Sequence, residues 1–74
     1  MPKNRPPKLL DVVAVLNNSD AEGVEVGDVG TVVELLPPDG VEVEFLDRSG
    51  RTRCLATFQA GEVLVLNRER TPVG

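Results

Sequence analysis

Apolar and polar residues alternate most cleanly over Val41-Glu42-Val43-Glu44-Phe45. In a strand this spacing turns Val41, Val43 and Phe45 to one face and Glu42 and Glu44 to the other. Apolar, β-branched runs of similar length fall at 11–16, 29–36, 51–58 and 63–66. Between the runs stand turn-forming stretches: Asn17-Asn18-Ser19-Asp20, Gly23 to Gly27, Pro37-Pro38-Asp39-Gly40, Asp47-Arg48-Ser49-Gly50 and Gln59-Ala60-Gly61. Five short strands at this spacing predict an all-β domain, and no window long enough for a helix carries a helical apolar stripe free of Gly or Pro.

Two hairpins follow from the turn chemistry. Pro-Asp-Gly before Val41 predicts a tight reversal with Gly40 at positive φ, and Arg48-Ser49-Gly50 predicts a second with Gly50 in the left-handed region. The run Val12-Val13-Ala14-Val15-Leu16 is apolar throughout, so alternation does not choose its inner face. It suits a strand buried on both sides, or one covered by the loop at 17–27. A bare three-stranded meander buries too little to stand alone, so the first and last strands are expected to close over it. Closing a barrel, or pairing two chains edge to edge, would remove the exposed edges.

The order of pieces over residues 9–66 resembles small SH3-like barrels. Its carrying feature is Val26-Gly27-Asp28-Val29-Gly30-Thr31-Val32-Val33-Glu34, where Gly27 and Gly30 are structural glycines admitting the chain to a coiled strand. The resemblance implies a five-stranded barrel over residues 9–67 with a short 3₁₀ turn near Phe58-Gln59-Ala60 before the last strand. Residues 1–8 are then a disordered basic, Pro-rich leader and residues 68–74 a flexible tail. A narrower resemblance rests on Lys8–Leu16, Val26–Glu34 and Val41–Phe45. Those segments are similar to a family of small bacterial proteins known only as a domain of unknown function. KOW modules, which bind nucleic acid, are similar around Gly27–Val33 but carry basic residues there. This chain has Glu25, Asp28 and Glu34.

Composition narrows the chemistry. Among 74 residues there are 13 Val and 9 Leu, two Phe (Phe45 and Phe58) and no His, Trp, Tyr or Ile. Lack of His removes the imidazole base and the imidazole metal ligand. Lack of Trp and Tyr removes the aromatic groove that takes Pro-rich peptides and nearly all platforms for stacking bases. The net charge is −4, and residues 1–8 (Lys3, Arg5, Lys8) hold +3 of the positive charge, which leaves −7 on the rest. Such a body is poorly suited to tracking a phosphate backbone. Single Cys54 forms no internal disulfide, so a reducing cytoplasm is the expected setting. The Asn17-Asn18-Ser19 glycosylation triplet is discounted on the same ground.

Individual candidates read mostly as structure. Glu42 and Glu44 form a solvated strand face, with Arg51 and Arg53 as the expected neighbours across the second hairpin. Cys54 reads as a small core residue. The basic cluster Arg48, Arg51 and Arg53, with Arg68 and Arg70 beyond it, and the acidic loop containing Glu22 and Glu25 are the candidate partner-binding groups. No catalytic, metal or cofactor residues emerge, and no enzyme activity is expected. The expected function is a non-catalytic protein-interaction or accessory module acting through loops or a sheet edge. Its partner would be another protein, such as the product of a neighbouring gene, or a second copy. The alternative is a KOW-like nucleic-acid or ribosome-associated module using Arg48, Arg51 and Arg53.

Overall fold

The computed structural model describes residues 5–17 and 23–66. They form β1 (Val12–Val15), β2 (Val29–Leu36), β3 (Gly40–Leu46), β4 (Thr52–Gln59), a 3₁₀ turn (Ala60–Glu62) and β5 (Val63–Val65). All-β architecture and the short turn before the last strand agree with the sequence reading. The turn begins two residues later than expected, where the Gln59 N–H donates to Glu62 Oε1 at 2.8 Å and fixes its start.

One antiparallel sheet contains all five strands in the order β4-β3-β2-β1-β5. The expected barrel is therefore not closed. Closure needs a ladder between β4 and β5, and none is present among the described residues: the three residues of β5 are matched to β1 alone (Val63 to Val15, Leu64 to Ala14, Val65 to Val13), so the sheet stays open along both β4 and β5.

Its concave face holds the core: Val13, Val15, Val32, Val41, Val43, Phe45, Phe58 and Val63, joined by Val24 from the loop before β2. The predicted faces of β3 are correct, with Val41, Val43 and Phe45 inside. In β1, Val13 and Val15 point inward while Val12 and Ala14 remain half-buried on the other side. That resolves the orientation which continuous apolarity left open, and Val24 supplies the cover from the loop. The two phenylalanines meet edge to face with centroids 6.1 Å apart, the arrangement their ring quadrupoles favour.

Glycine roles divide. Gly50 (φ 84) and Gly27 (φ 93) take the left-handed conformation. Gly40 does not, which corrects the expectation for the first hairpin. There the chain reverses across residues 37–39, with a cis peptide bond between Pro37 and Pro38, and Leu36 pairs with Gly40. Gly40 is required for space instead, since a Cβ there would lie 3.0 Å from the Leu36 carbonyl oxygen.

Residues 5–8, assigned to the leader by sequence, are held against the sheet. Asp11 is 5% exposed and lies just before β1. Its carboxylate accepts from Arg5 Nη1 at 2.8 Å, Arg5 Nη2 at 3.3 Å and the Lys8 backbone N–H at 2.7 Å. Pro7 is buried in consequence. Asp11→Ala leaves both the guanidinium and the Lys8 N–H without this acceptor, and bonds to a charged group contribute about 2 kcal/mol. In a domain this small that lowers Tm by roughly 10 °C. Arg5→Ala should cost at least as much, because it takes the Arg5 counter-charge from the buried Asp11 carboxylate, whereas the half-exposed guanidinium left by Asp11→Ala regains water. Thermal melts followed by far-UV circular dichroism check both, and a clearly smaller loss for Arg5→Ala would contradict the assignment. The expected tail at 68–74, with Arg68 and Arg70, lies outside the described residues.

Candidate functional site

The second hairpin sets the position of every candidate arginine. Asp47 organises the turn: its Oδ1 accepts from Ser49 N–H and Ser49 Oγ, both at 2.8 Å, and from the Arg51 N–H at 3.0 Å. The Ser49 hydroxyl foremost, then the Arg51 N–H, hold the Asp47 carboxyl below its ordinary pKa, since donors favour the charged form. Arg48 and Arg51 project from this turn into solvent.

Beyond the turn, the ladder between β3 and β4 matches Leu46 with Thr52 but Phe45 with Cys54. Arg53 is the unmatched residue of a β-bulge. Bulges bend a strand and re-aim its side chain. Here the Arg53 guanidinium lies 5.8 Å from the centroid of Phe45, donates to the Gly23 carbonyl, and stands 3.4 Å from Asp28 Oδ2. It ties the 23–28 loop to the start of β4.

The bulge also corrects the expected charge pairs. Glu42 lies opposite Thr57 and Glu44 opposite Leu55, so neither Arg51 nor Arg53 faces them. Glu44 is engaged by the Thr52 hydroxyl instead. The three arginines thus do not act as one basic patch: Arg53 is used inside the fold, while Arg48 and Arg51 are exposed at the hairpin tip and make no ion pair among the described residues.

Of the acidic-loop candidates, Glu22 lies outside the described residues and Glu25 is exposed. Glu25 and Asp28 close a small turn through Glu25 N–H to Asp28 Oδ2 and Asp28 N–H to the Glu25 carbonyl, both 2.9 Å. With Gly27 donating to the Val15 carbonyl at 2.8 Å, the turn at 25–28 is locked to β1, while Gly30, expected as a turn glycine, lies within β2. Glu25 and Arg53 therefore line one shallow, open cleft together with Gly23, Val24 and Asp28. Arg48 and Arg51 stand apart from it. Cys54 is half-buried and packs against the core margin, as its alternation within the run suggested. Among the described residues no group of three or more His, Cys, Asp or Glu could hold a metal ion.

One feature of this region was missed by residue-by-residue reading, namely the outer edge of β4. That strand pairs with β3 on one side and, among the described residues, with nothing on the other. In an antiparallel strand alternate residues turn their N–H and C=O groups away from the partner, so the edge offers a row of open donors and acceptors. Edges are ordinarily blunted by charge or proline. From Cys54 to Gln59 (Cys-Leu-Ala-Thr-Phe-Gln) the strand itself has neither, an uncharged run visible in the sequence. The Glu62 carboxylate takes the outward Gln59 N–H, so the open backbone groups are those of Leu55 and Thr57. What hid its meaning was the expectation of closure.

No curated protein and no solved structure matches the chain. No helix among the described residues is long and apolar enough to cross a membrane. A family model does match, over residues 9–65, which spans β1 through β5 and the loop anchored by Arg53. On that match the chain belongs to the family described as Domain of unknown function (DUF4926).

Proposed function

We propose that this chain is a small non-catalytic interaction module that binds another protein by strand addition at the open edge of β4. The observation that carries the reading is the run Cys54–Phe58, uncharged, free of proline and unpaired on its outer side among the described residues, where Leu55 and Thr57 turn their backbone groups outward. Extended segments add to such edges because main-chain hydrogen bonds supply affinity while alternate side chains supply selectivity. Beside the edge, Arg53 holds the 23–28 loop, giving a rigidly placed second surface with Glu25 at its rim. A single cysteine supports a reducing, cytoplasmic setting for the encounter. The product of an adjacent gene is the first partner to try.

Titrating that product into isotopically labelled protein should shift the backbone amides of residues 54–59 and of the 23–28 loop. Shifts confined to Arg48, Arg51 and the hairpin tip would overturn the edge reading. The nucleic-acid alternative retains those two exposed arginines. For that alternative, fluorescence anisotropy with RNA and DNA at about 50 mM salt, where phosphate contacts are strong, is expected to show no binding.

A further inference from the structure

We infer that the segment seated on β4 is the β4 strand of a second copy, antiparallel to the first, so that two five-stranded sheets become one. This rests on the strand-addition reading above and names its occupant. The edge requires an extended chain, and β4 itself has the pattern to supply one. In an antiparallel pair, opposite residues share a face. A two-fold axis normal to the sheet therefore sets outward Leu55 and Thr57 against the outward residues of the partner. Half-buried Cys54 and Ala56 meet their counterparts on the concave side. Self-complementary contacts of this kind close after two subunits.

Charge selects the direction. At the start of β4 stand exposed Arg48 and Arg51. At its end stand Glu62, in the 3₁₀ turn, and exposed Asp39, whose carbonyl accepts from the Ala60 N–H at 2.7 Å. Antiparallel pairing brings the basic end of each copy to the acidic end of the other, whereas parallel pairing stacks like on like. Glu42 and Glu44 lie one strand inward, on β3, and do not oppose the partner's strand. The bulge at Arg53 bends the strand and ends the ladder there, so the joining segment is the uncharged run.

Light scattering across a concentration series tests this on the whole chain, and the expected mass approaches twice 8.0 kDa as concentration rises. The variant carrying both Leu55→Lys and Thr57→Lys separates folding from pairing. Each new lysine sits beside an acid of its own sheet, Glu44 and Glu42 respectively, so far-UV circular dichroism should stay native. Across the two-fold axis the lysines face one another, and the dimer dissociation constant should rise at least about tenfold. If the double variant loses its native spectrum, Thr57→Lys alone sets one charge against the partner's Leu55, and a smaller rise in the dissociation constant is expected. A mass of one chain at about 1 mM, the weak end of specific association, overturns the inference, as does a dimer that the lysines leave unchanged. Should the chain prove monomeric while amides 54–59 shift with another protein, self-pairing fails and strand addition stands. A monomer whose β4 amides respond to no partner ends both.

Discussion

Gly30→Ala should remove most of the protein's stability at room temperature. Gly30 lies in β2 at the level where β3 presses closest, and it is buried. A Cβ there would come within 2.6 Å of Val43 Cγ1, 2.7 Å of the Glu44 carbonyl oxygen and 2.9 Å of Phe45 Cδ1. The first and third neighbours are side-chain atoms and can yield. Glu44 O belongs to the ladder itself and moves only if β3 moves. Overpacking of a core costs about 3 kcal/mol at the upper end of its usual range, against about 3–5 kcal/mol of net stability for a single core this small. Gly61→Ala is the matched control, because nothing lies within 4 Å of the added carbon. With no Trp or Tyr, urea titration is best followed by far-UV circular dichroism. Because a backbone oxygen is in the way, trimming Val43 and Phe45 in the Gly30→Ala background should not restore the lost stability. Restoration would show that side chains alone set the requirement.

Five strands and the central meander of β2, β3 and β4 were legible because the signals are local. Alternation at Val41–Phe45 shows its own inner face, and Asp47-Arg48-Ser49-Gly50 holds both the acceptor and the left-handed residue that its turn uses. What could not be read depends on partners distant in the chain. Arg53 looks like any strand arginine until the bulge turns it onto Phe45 and Gly23. Asp11 reads as the polar start of an apolar run, and its buried role exists only once Arg5 and Lys8 fold back on it. Gly40 sits in a sequence that favours positive φ, yet the cis bond at Pro37–Pro38 accompanies a different reversal. Barrel closure was expected from strand count, but it depends on a ladder between β4 and β5, and these two strands do not pair. The candidate site was thus half legible. Its residues were in view, and the free edge that organises them was not.

Phe45→Ala should be the most damaging side-chain truncation in the core, lowering stability by about 4 kcal/mol. Phe45 is 1% exposed and is among the largest fully buried side chains. In a core otherwise built of valine, the neighbours are short, β-branched and stiff at χ1, so they are poorly able to collapse into the space a ring leaves. Truncation also removes the edge-to-face contact with Phe58 and the face over which Arg53 lies. The second loss bears on function. Without the ring the guanidinium has one fewer anchor, and the 23–28 loop it ties to β4 should loosen with it. Phe45→Leu separates the two effects, since it keeps most of the apolar volume at a cost below about 1.5 kcal/mol and deletes the quadrupole. In that variant the β3–β4 amides should keep their protection from hydrogen exchange, while those of residues 23–28 exchange faster. Equal protection in both regions would mean that Gly23 and Asp28 alone hold Arg53. The loop would then be placed independently of the core beneath it.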